Sequence, residues 1–199
     1  MSSEFENESP TDADEVLVSR AQSGDTLAFD QLVVRYSPRL YGMIYHMTSN
    51  KEDANDLTQD VFAKAYRSLY RFRGRSSFYT WIYAIGTNMT LNFLKKRNRR
   101  AVWSLDNLDS GIQNDEAMVD LAHAANPRHQ SDLNELQKKL NEAMQSLSNA
   151  HRAVVTMFDI QGIPHAEISK ILKVSEGTVR SRLFYAHRQL QGHLEEFIK

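Results

Sequence analysis

Pro164-His-Ala-Glu-Ile-Ser-Lys-Ile-Leu-Lys-Val-Ser-Glu-Gly-Thr-Val-Arg-Ser-Arg-Leu-Phe-Tyr-Ala-His-Arg-Gln-Leu190 is the stretch that decides how this chain folds. It holds a short helical run, a tight break and a second helical run, the arrangement that sets one helix into the major groove of DNA. Pro164 suits a first helical turn, where its missing N–H costs no hydrogen bond, and Ile168, Ile171 and Leu172 supply an inner face. Lys173-Val174-Ser175 is the break, with Ser175 placed to cap the second helix. In that helix Val179, Leu183, Ala186 and Leu190 line one side, while Gly177, Ser181, Phe184 and Arg188 point the other way, flanked by Arg180, Arg182 and Tyr185. The outward side mixes hydrogen-bonding, apolar and cationic groups, as reading base edges and gripping phosphates requires. An Arg-rich helix by itself is more often a solvated hairpin arm; the break, the cap and the polar outer face together favour DNA.

Upstream, Leu133, Leu136, Leu140, Met144 and Leu147 form one helical stripe, and Val154, Val155 and Phe158 begin another that stops at Gly162. Before these, residues 101–131 carry Asp106, Asp109, Asp115, Glu116 and Asp120 with little apolar pattern and close on Asn126-Pro127, which reads as a flexible acidic linker. Earlier still the pattern is helical again. Val16, Leu17, Arg20 and Ala21 precede a break at Ser23-Gly24-Asp25, followed by Ala28, Phe29, Leu32, Val33, Tyr36, Leu40 and Ile44 at helical spacing. A third helix starts near Glu52 with Leu57, Val61, Ala65 and Leu69 on one face and runs to Arg71-Phe72-Arg73-Gly74. A fourth, capped by Ser76 or Ser77, repeats Phe78, Ile82, Ile85, Met89 and Phe93. No strand-like alternation appears. The expected fold is therefore all-α: a disordered acidic tail at 1–12, a helical domain at 13–100, the linker at 101–131, and a helix-turn-helix domain at 132–199.

Charge is segregated along this plan. Between Val61 and Arg100 the chain has ten Lys or Arg residues, no Asp or Glu, and nine aromatic rings. With −1 for all 199 residues and +10 in this block, the other 159 residues carry −11. Cations that follow a phosphate backbone, mixed with rings on which unpaired bases stack, make the composition of a single-strand surface. Phe62, Phe78 and Trp81 are better read as core than as stacking platforms. Glu52, Asp56 and Asp60, at i, i+4 and i+8, make an acidic stripe just before the block that DNA would repel; a solvated helix face is the ordinary reading of it.

Other classes find little support. The chain has no cysteine, which agrees with a reducing compartment and removes disulfides and thiolate chemistry. Nothing at the start resembles a signal peptide, and no apolar run approaches the roughly 20 residues a membrane span needs, so a cytoplasmic protein without membrane insertion is expected. Its seven histidines show no metal-ligand spacing, and there is no Gly-rich phosphate loop or arguable Ser-His-Asp set. No catalytic residue, metal or cofactor is expected. A response-regulator type of transcription factor would share the C-terminal helix-turn-helix but needs an α/β receiver, whereas the first hundred residues here are helical and cationic.

Asp53-Ala-Asn-Asp-Leu-Thr-Gln-Asp-Val-Phe62, Phe72-Arg-Gly, Phe78-Tyr-Thr-Trp-Ile82 and Gly177-Thr-Val-Arg-Ser-Arg182, in that order, resemble the extracytoplasmic-function sigma factors of the sigma-70 family. The resemblance covers about Asp14 to Arg100 and Asp132 to Leu194. It implies a protein that binds core RNA polymerase, opens a −10 element with its first domain and reads a −35 element with its second. It implies that Asp56, Leu57, Gln59, Asp60 and Phe62 dock on the clamp helices of the largest polymerase subunit. The base-capturing pocket would be Phe72, Arg73, Gly74, Arg75, Ser76 and Ser77 with Ile85 and Asn88, and Arg71 would join Arg73 and Arg75 on phosphates. Asn88, Asn92, Lys95 and Arg99 form a polar stripe leading away from it, although cations at a helix end are also favoured by the macrodipole. Arg180, Ser181, Phe184 and Tyr185 would meet the −35 duplex, together with Gly177, Thr178, Arg182 and Arg188. Many relatives are held by an anti-sigma factor, which the resemblance adds as a partner. Two departures stand out: Tyr185, where an arginine is familiar, and Pro164-His165-Ala166-Glu167, where an acidic pair is usual.

Overall fold

The computed structural model describes residues 13–105 and 139–194, and among them every regular element is helical. The expected tail at 1–12 and most of the expected linker lie outside the described residues.

Helix α1 (Asp14–Gln22) buries Leu17, Val18 and Ala21. Its first residue ties it to the next helix, because Asp14 accepts from both Arg35 and Tyr36. Gly24, at φ +99°, makes the turn that residues with a side chain resist, and Asp25 then caps α2 (Thr26–Thr48) by accepting from Ala28 N at 3.2 Å. Asn50 caps α3 (Lys51–Ser68) in the same way through Asp53 N at 2.9 Å. One 3-10 turn, Leu69–Arg71, and a loop with Gly74 at φ +65° lead to α4 (Phe78–Leu105). Of the two serines available Ser77 is the cap, accepting from Thr80 N at 3.1 Å. α4 runs on five residues past Arg100, where the sequence pattern weakens.

In the C-terminal part, a helix over 139–146 (α5) precedes α6 (Asn149–Val155), which Ser148 caps and which continues as a π turn, Thr156–Ile160. Gly162 at φ +67° ends it. Pro164 sits at the cap of α7 (His165–Leu172) rather than inside its first turn, its carbonyl accepting from Glu167 N and Ile168 N. Lys173, left-handed at φ 55°, stops α7, and Ser175 caps α8 (Glu176–Leu194) through Thr178 N at 3.1 Å. Ile168 and Ile171 of α7 pack with Val179, Leu183 and Ala186 of α8 in one buried cluster.

The two groups of helices pack together, α7 lying on α4 and the π turn on α2. Thr80 Oγ1 donates to Glu167 Oε2 at 2.7 Å, Tyr83 OH donates to Gln161 Oε1 at 2.9 Å, and Gln161 Nε2 donates to Arg39 O at 2.7 Å. Arg152, 4% exposed, donates to the carbonyls of Met144, Gln145 and Leu147 at the end of α5 and, across the junction, to Met47 O at 2.8 Å. Carbonyl dipoles at two helix ends thus compensate a buried cation, whose burial lowers its pKa to about 10.

Candidate nucleic-acid and protein interfaces

The loop between α3 and α4 forms a hollow of about 250 Å³ walled by Arg71, Phe72, Arg73, Arg75, Ser76 and Trp81. Two rings, Phe72 and Trp81, make its apolar side at 5.0 Å, and Phe78 backs them at 6.2 Å from Phe72 and 5.7 Å from Trp81, centroid to centroid. Phe78 is buried against Tyr36 and holds the cluster to the core, while Phe72 and Trp81 are half-buried. Among the described residues Arg71, Arg73 and Arg75 make no ion pair, so their charge is available to a ligand. An aromatic recess with unpaired cations at its rim can take a flat, anionic-backed group such as a nucleotide.

Gly74 and Ser77 of the loop do not wall this hollow, and neither do Ile85 and Asn88. The last two follow Trp81 by four and seven residues on α4, so Trp81, Ile85, Asn88, Asn92, Lys95 and Arg99 make one stripe leading away from it. Asn88 is exposed, and its Nδ2 donates to Ala84 O at 2.7 Å. That bond fixes the amide while using only one of its two N–H donors, so the other N–H and the oxygen are both available to a ligand. Asn92, Lys95 and Arg99 are exposed, whereas Arg97 is taken up by the fold through Asp53 at 3.2 Å and Thr48 O.

The block's rings divide sharply. Phe62, Phe78 and Tyr83 are buried, and Phe72, Tyr79, Trp81 and Phe93 are partly so, which leaves Tyr66 and Tyr70 exposed. Composition overstated the stacking surface, because most of these rings also build the core.

On α3 the acidic stripe is real: Glu52, Asp56, Gln59 and Asp60 are exposed. Leu57 and Phe62, expected beside them at a protein interface, are 8% and 7% exposed and belong to the core, because they share the inward face of α3 with Val61 and Ala65. Gln59 instead borders a hollow of about 330 Å³ with Ser37, Pro38, Tyr41, Asn55 and Thr58, where Pro38 interrupts the hydrogen bonding of α2.

On α8, Gly177, Arg180, Ser181, Phe184, Tyr185 and Arg188 are exposed, as the wheel requires. Phe184 and Tyr185 are 63% and 57% exposed and meet edge to face at 5.4 Å, and Arg180 pairs with Glu176 at 3.2 Å. Thr178 and Arg182 are half-buried, the Thr178 hydroxyl lying 2.9 Å from that of the cap Ser175.

Sequence reasoning missed three parts of this arrangement. Trp81 walls the hollow although it reads as core. Gln22 Nε2 holds the loop by donating to Leu69 O and Phe72 O at 2.9 and 2.8 Å. Glu167, in the segment that departs from the usual pattern, joins the two groups of helices through Thr80, and its hydrogen bonds from Lys170 and Thr80 lower its pKa. The first was legible in the i, i+4, i+7 relation of Trp81 to Ile85 and Asn88; the other two span 47 or more residues and leave no local mark.

The Sigma-70 region 2 family matches residues 32–100 and the Sigma-70, region 4 family matches residues 137–190. The chain is 32% identical over 188 residues to the RNA polymerase sigma-H factor of Pseudomonas aeruginosa, covering 94% of this chain and 96% of the relative. It is 35% identical over 187 residues to the ECF RNA polymerase sigma-E factor of Escherichia coli, with the same two coverages. In fold it is similar to CnrH, solved in complex with the cytosolic domain of CnrY, at TM-score 0.65 and 22% identity over 94% of this chain and 99% of that one. It is also similar to the sigma factor RpoE of Bartonella quintana, solved with the anti-sigma factor NepR, at TM-score 0.63 and 22% identity over 84% and 96%.

Proposed function

Because this chain belongs to the extracytoplasmic-function sigma factors of the sigma-70 family, and so directs promoter-specific transcription initiation, we propose that its two groups of helices are domains that divide promoter recognition. The observation that carries this reading is the ring-walled, cation-rimmed hollow at one end of the Trp81 to Arg99 stripe, paired with a capped recognition helix whose exposed face is polar and cationic.

In this reading the first domain takes the −10 element. DNA opened without ATP must recover the unstacking cost, a few kcal/mol per extruded base, from contacts to the opened strand. The hollow receives the base, with Gly74 giving the loop its turn and Ser76 at the wall; Arg71, Arg73 and Arg75 hold phosphates. Asn88, one turn beyond Ile85, offers a donor and an acceptor together, the pair that suits bidentate contact with adenine N6 and N7. Asn92, Lys95 and Arg99 track the strand. The second domain reads the −35 duplex through Arg180, Ser181, Phe184 and Tyr185, with Arg188 on phosphate. With an aromatic ring in place of a guanidinium, Tyr185 beside Phe184 favours apolar contact such as a thymine methyl.

Core RNA polymerase is the protein partner, and Asp56, Gln59 and Asp60 of α3 are the contacts proposed for the clamp helices of its largest subunit. The chain performs no catalysis of its own and acts in the cytoplasm; among the described residues no helix is long and apolar enough to cross a membrane. Elements centred about 25 base pairs apart lie roughly 80 Å apart on B-form DNA. Helices joined by the 2.7 Å Thr80–Glu167 bond cannot span that distance, so engagement of both elements requires the domains to part. An anti-sigma factor that favours the packed arrangement would thereby hold the protein off the promoter, which fits the complexes known for relatives.

The test separates the two surfaces on a promoter that the holoenzyme opens. Arg180→Ala lowers closed-complex affinity and the premelted template does not restore it. Asn88→Ala leaves early affinity nearly intact but slows formation of the permanganate-reactive bubble, and premelting recovers part of the defect. Equal rescue of both variants would assign melting elsewhere.

A further inference from the structure

Of the block's two exposed rings, Tyr66 packs on Phe29 at 4.9 Å. Tyr70 is 67% exposed and has no ring partner among the described residues, yet its backbone is held by side-chain hydrogen bonds from another helix. It sits in the 3-10 turn Leu69–Arg71, whose first residue is 2% exposed, and the Gln22 amide donates to the carbonyls on either side of it, Leu69 O and Phe72 O. The Arg71 guanidinium carbon lies 5.1 Å from the Tyr70 ring centroid, and Arg71 also walls the hollow. One cation therefore stands between an exposed ring and the recess. No carboxylate occurs from Val61 to Arg100 to compete for it.

A lone exposed tyrosine is ordinary. A rigidly held one that shares an unpaired arginine with a nucleotide-sized recess is placed for a ligand with flat groups at successive positions along an anionic chain. We propose that Tyr70 is a stacking platform for an unpaired base of the same DNA strand, next to the base taken by the hollow, with Arg71 between the two. Stacking is tolerant of sequence, because every base has a π face. Tyr70 thus adds grip on the opened strand without adding sequence preference, a role distinct from that of Asn88. This rests on the reading of the loop as a single-strand surface.

The test uses the full chain and a fluorescein-labelled, random-sequence single-stranded DNA of about 12 nucleotides, followed by anisotropy across a salt series. Tyr70→Ala weakens binding by about five- to a hundredfold, the range that stacking of one base covers, with the slope against salt unchanged. Tyr70→Phe binds like wild type. The Arg73→Ala, Arg75→Ala double variant instead flattens the salt slope, by roughly 0.7 for each phosphate that is no longer neutralised. If Tyr70→Ala binds like wild type while the arginine variant is weakened, the platform is wrong and the single-strand reading stands. If neither variant differs from wild type, both fail. Equal weakening in Tyr70→Phe and Tyr70→Ala would place the interaction at the phenol hydroxyl and overturn stacking.

Discussion

Gln161→Ala is the sharpest probe of how the two groups of helices are held. Its side chain bridges the junction, accepting from Tyr83 OH at 2.9 Å and donating to Arg39 O at 2.7 Å. At about 1 kcal/mol net per hydrogen bond, truncation removes about 2 kcal/mol from the packed state. That lowers the ratio of packed to parted molecules by about 30-fold, since 1.4 kcal/mol is a factor of ten. Tyr83 is fully buried, but its hydroxyl keeps a hydrogen-bond partner in Tyr79, so no further penalty is added for an orphaned group. The chain has no cysteine, so spin labels on cysteines introduced at the exposed positions Ala63 and Gln191 report the separation cleanly by pulsed electron resonance. The expected outcome is a long-distance population that grows in Gln161→Ala. If only parted molecules bind core polymerase, apparent affinity rises by up to the same factor. An unchanged distance distribution would show that these bonds do not hold the junction. A changed distribution with unchanged core affinity would show that packing does not compete with the polymerase.

Three further outcomes are expected. Asp56→Lys with Asp60→Lys weakens binding to core polymerase by at least about tenfold, judged from the worth of close charge pairs at interfaces, while circular dichroism stays constant because both positions are exposed. Burial lowers the pKa of His46 from 6.5, so the unfolded chain binds more protons there. Its contribution to stability is complete above pH 6.5 and is lost as pH falls below it, and His46→Gln should flatten the fall of urea midpoints below pH 6.5 relative to wild type. Arg152→Met leaves the carbonyls of Met47, Met144, Gln145 and Leu147 without this donor and lowers unfolding free energy by about 3 kcal/mol or more, since a buried unsatisfied acceptor costs about 1–3 kcal/mol; a wild-type urea midpoint would refute this.

What could be read from the sequence was local. Gly24, Gly162, Ser77 and Ser175 mark turns and caps because positive φ and a side-chain acceptor are demands that particular residue types meet at particular positions. The exposed face of α8 followed from its helical period. Leu57 and Phe62 show how a match to a family's order can mislead: the same wheel that put Leu57, Val61 and Ala65 on one face already turned Leu57 away from Asp56 and Asp60. The aromatic block misled for another reason. Composition counts rings but not their directions, and Tyr83 and Tyr70, both in the block, are 0% and 67% exposed. The junction was illegible because Thr80 and Glu167 are 87 residues apart, so that nothing local in the sequence pairs one with the other.

The double hydrogen bond from Gln22 bears on how portable base preference is within such proteins. The loop that walls the recess takes its shape partly from α1, a helix lying outside residues 32–100 that match the region 2 family. Loop residues 72–77 grafted into a relative without a glutamine at this point of α1 would carry Phe72, Gly74 and Ser77 with them but not the amide that positions Leu69 O and Phe72 O. A chimera built on sequence boundaries would inherit the letters of the recess without its shape. The smallest unit that carries the loop with its support is the loop together with the C-terminal end of α1.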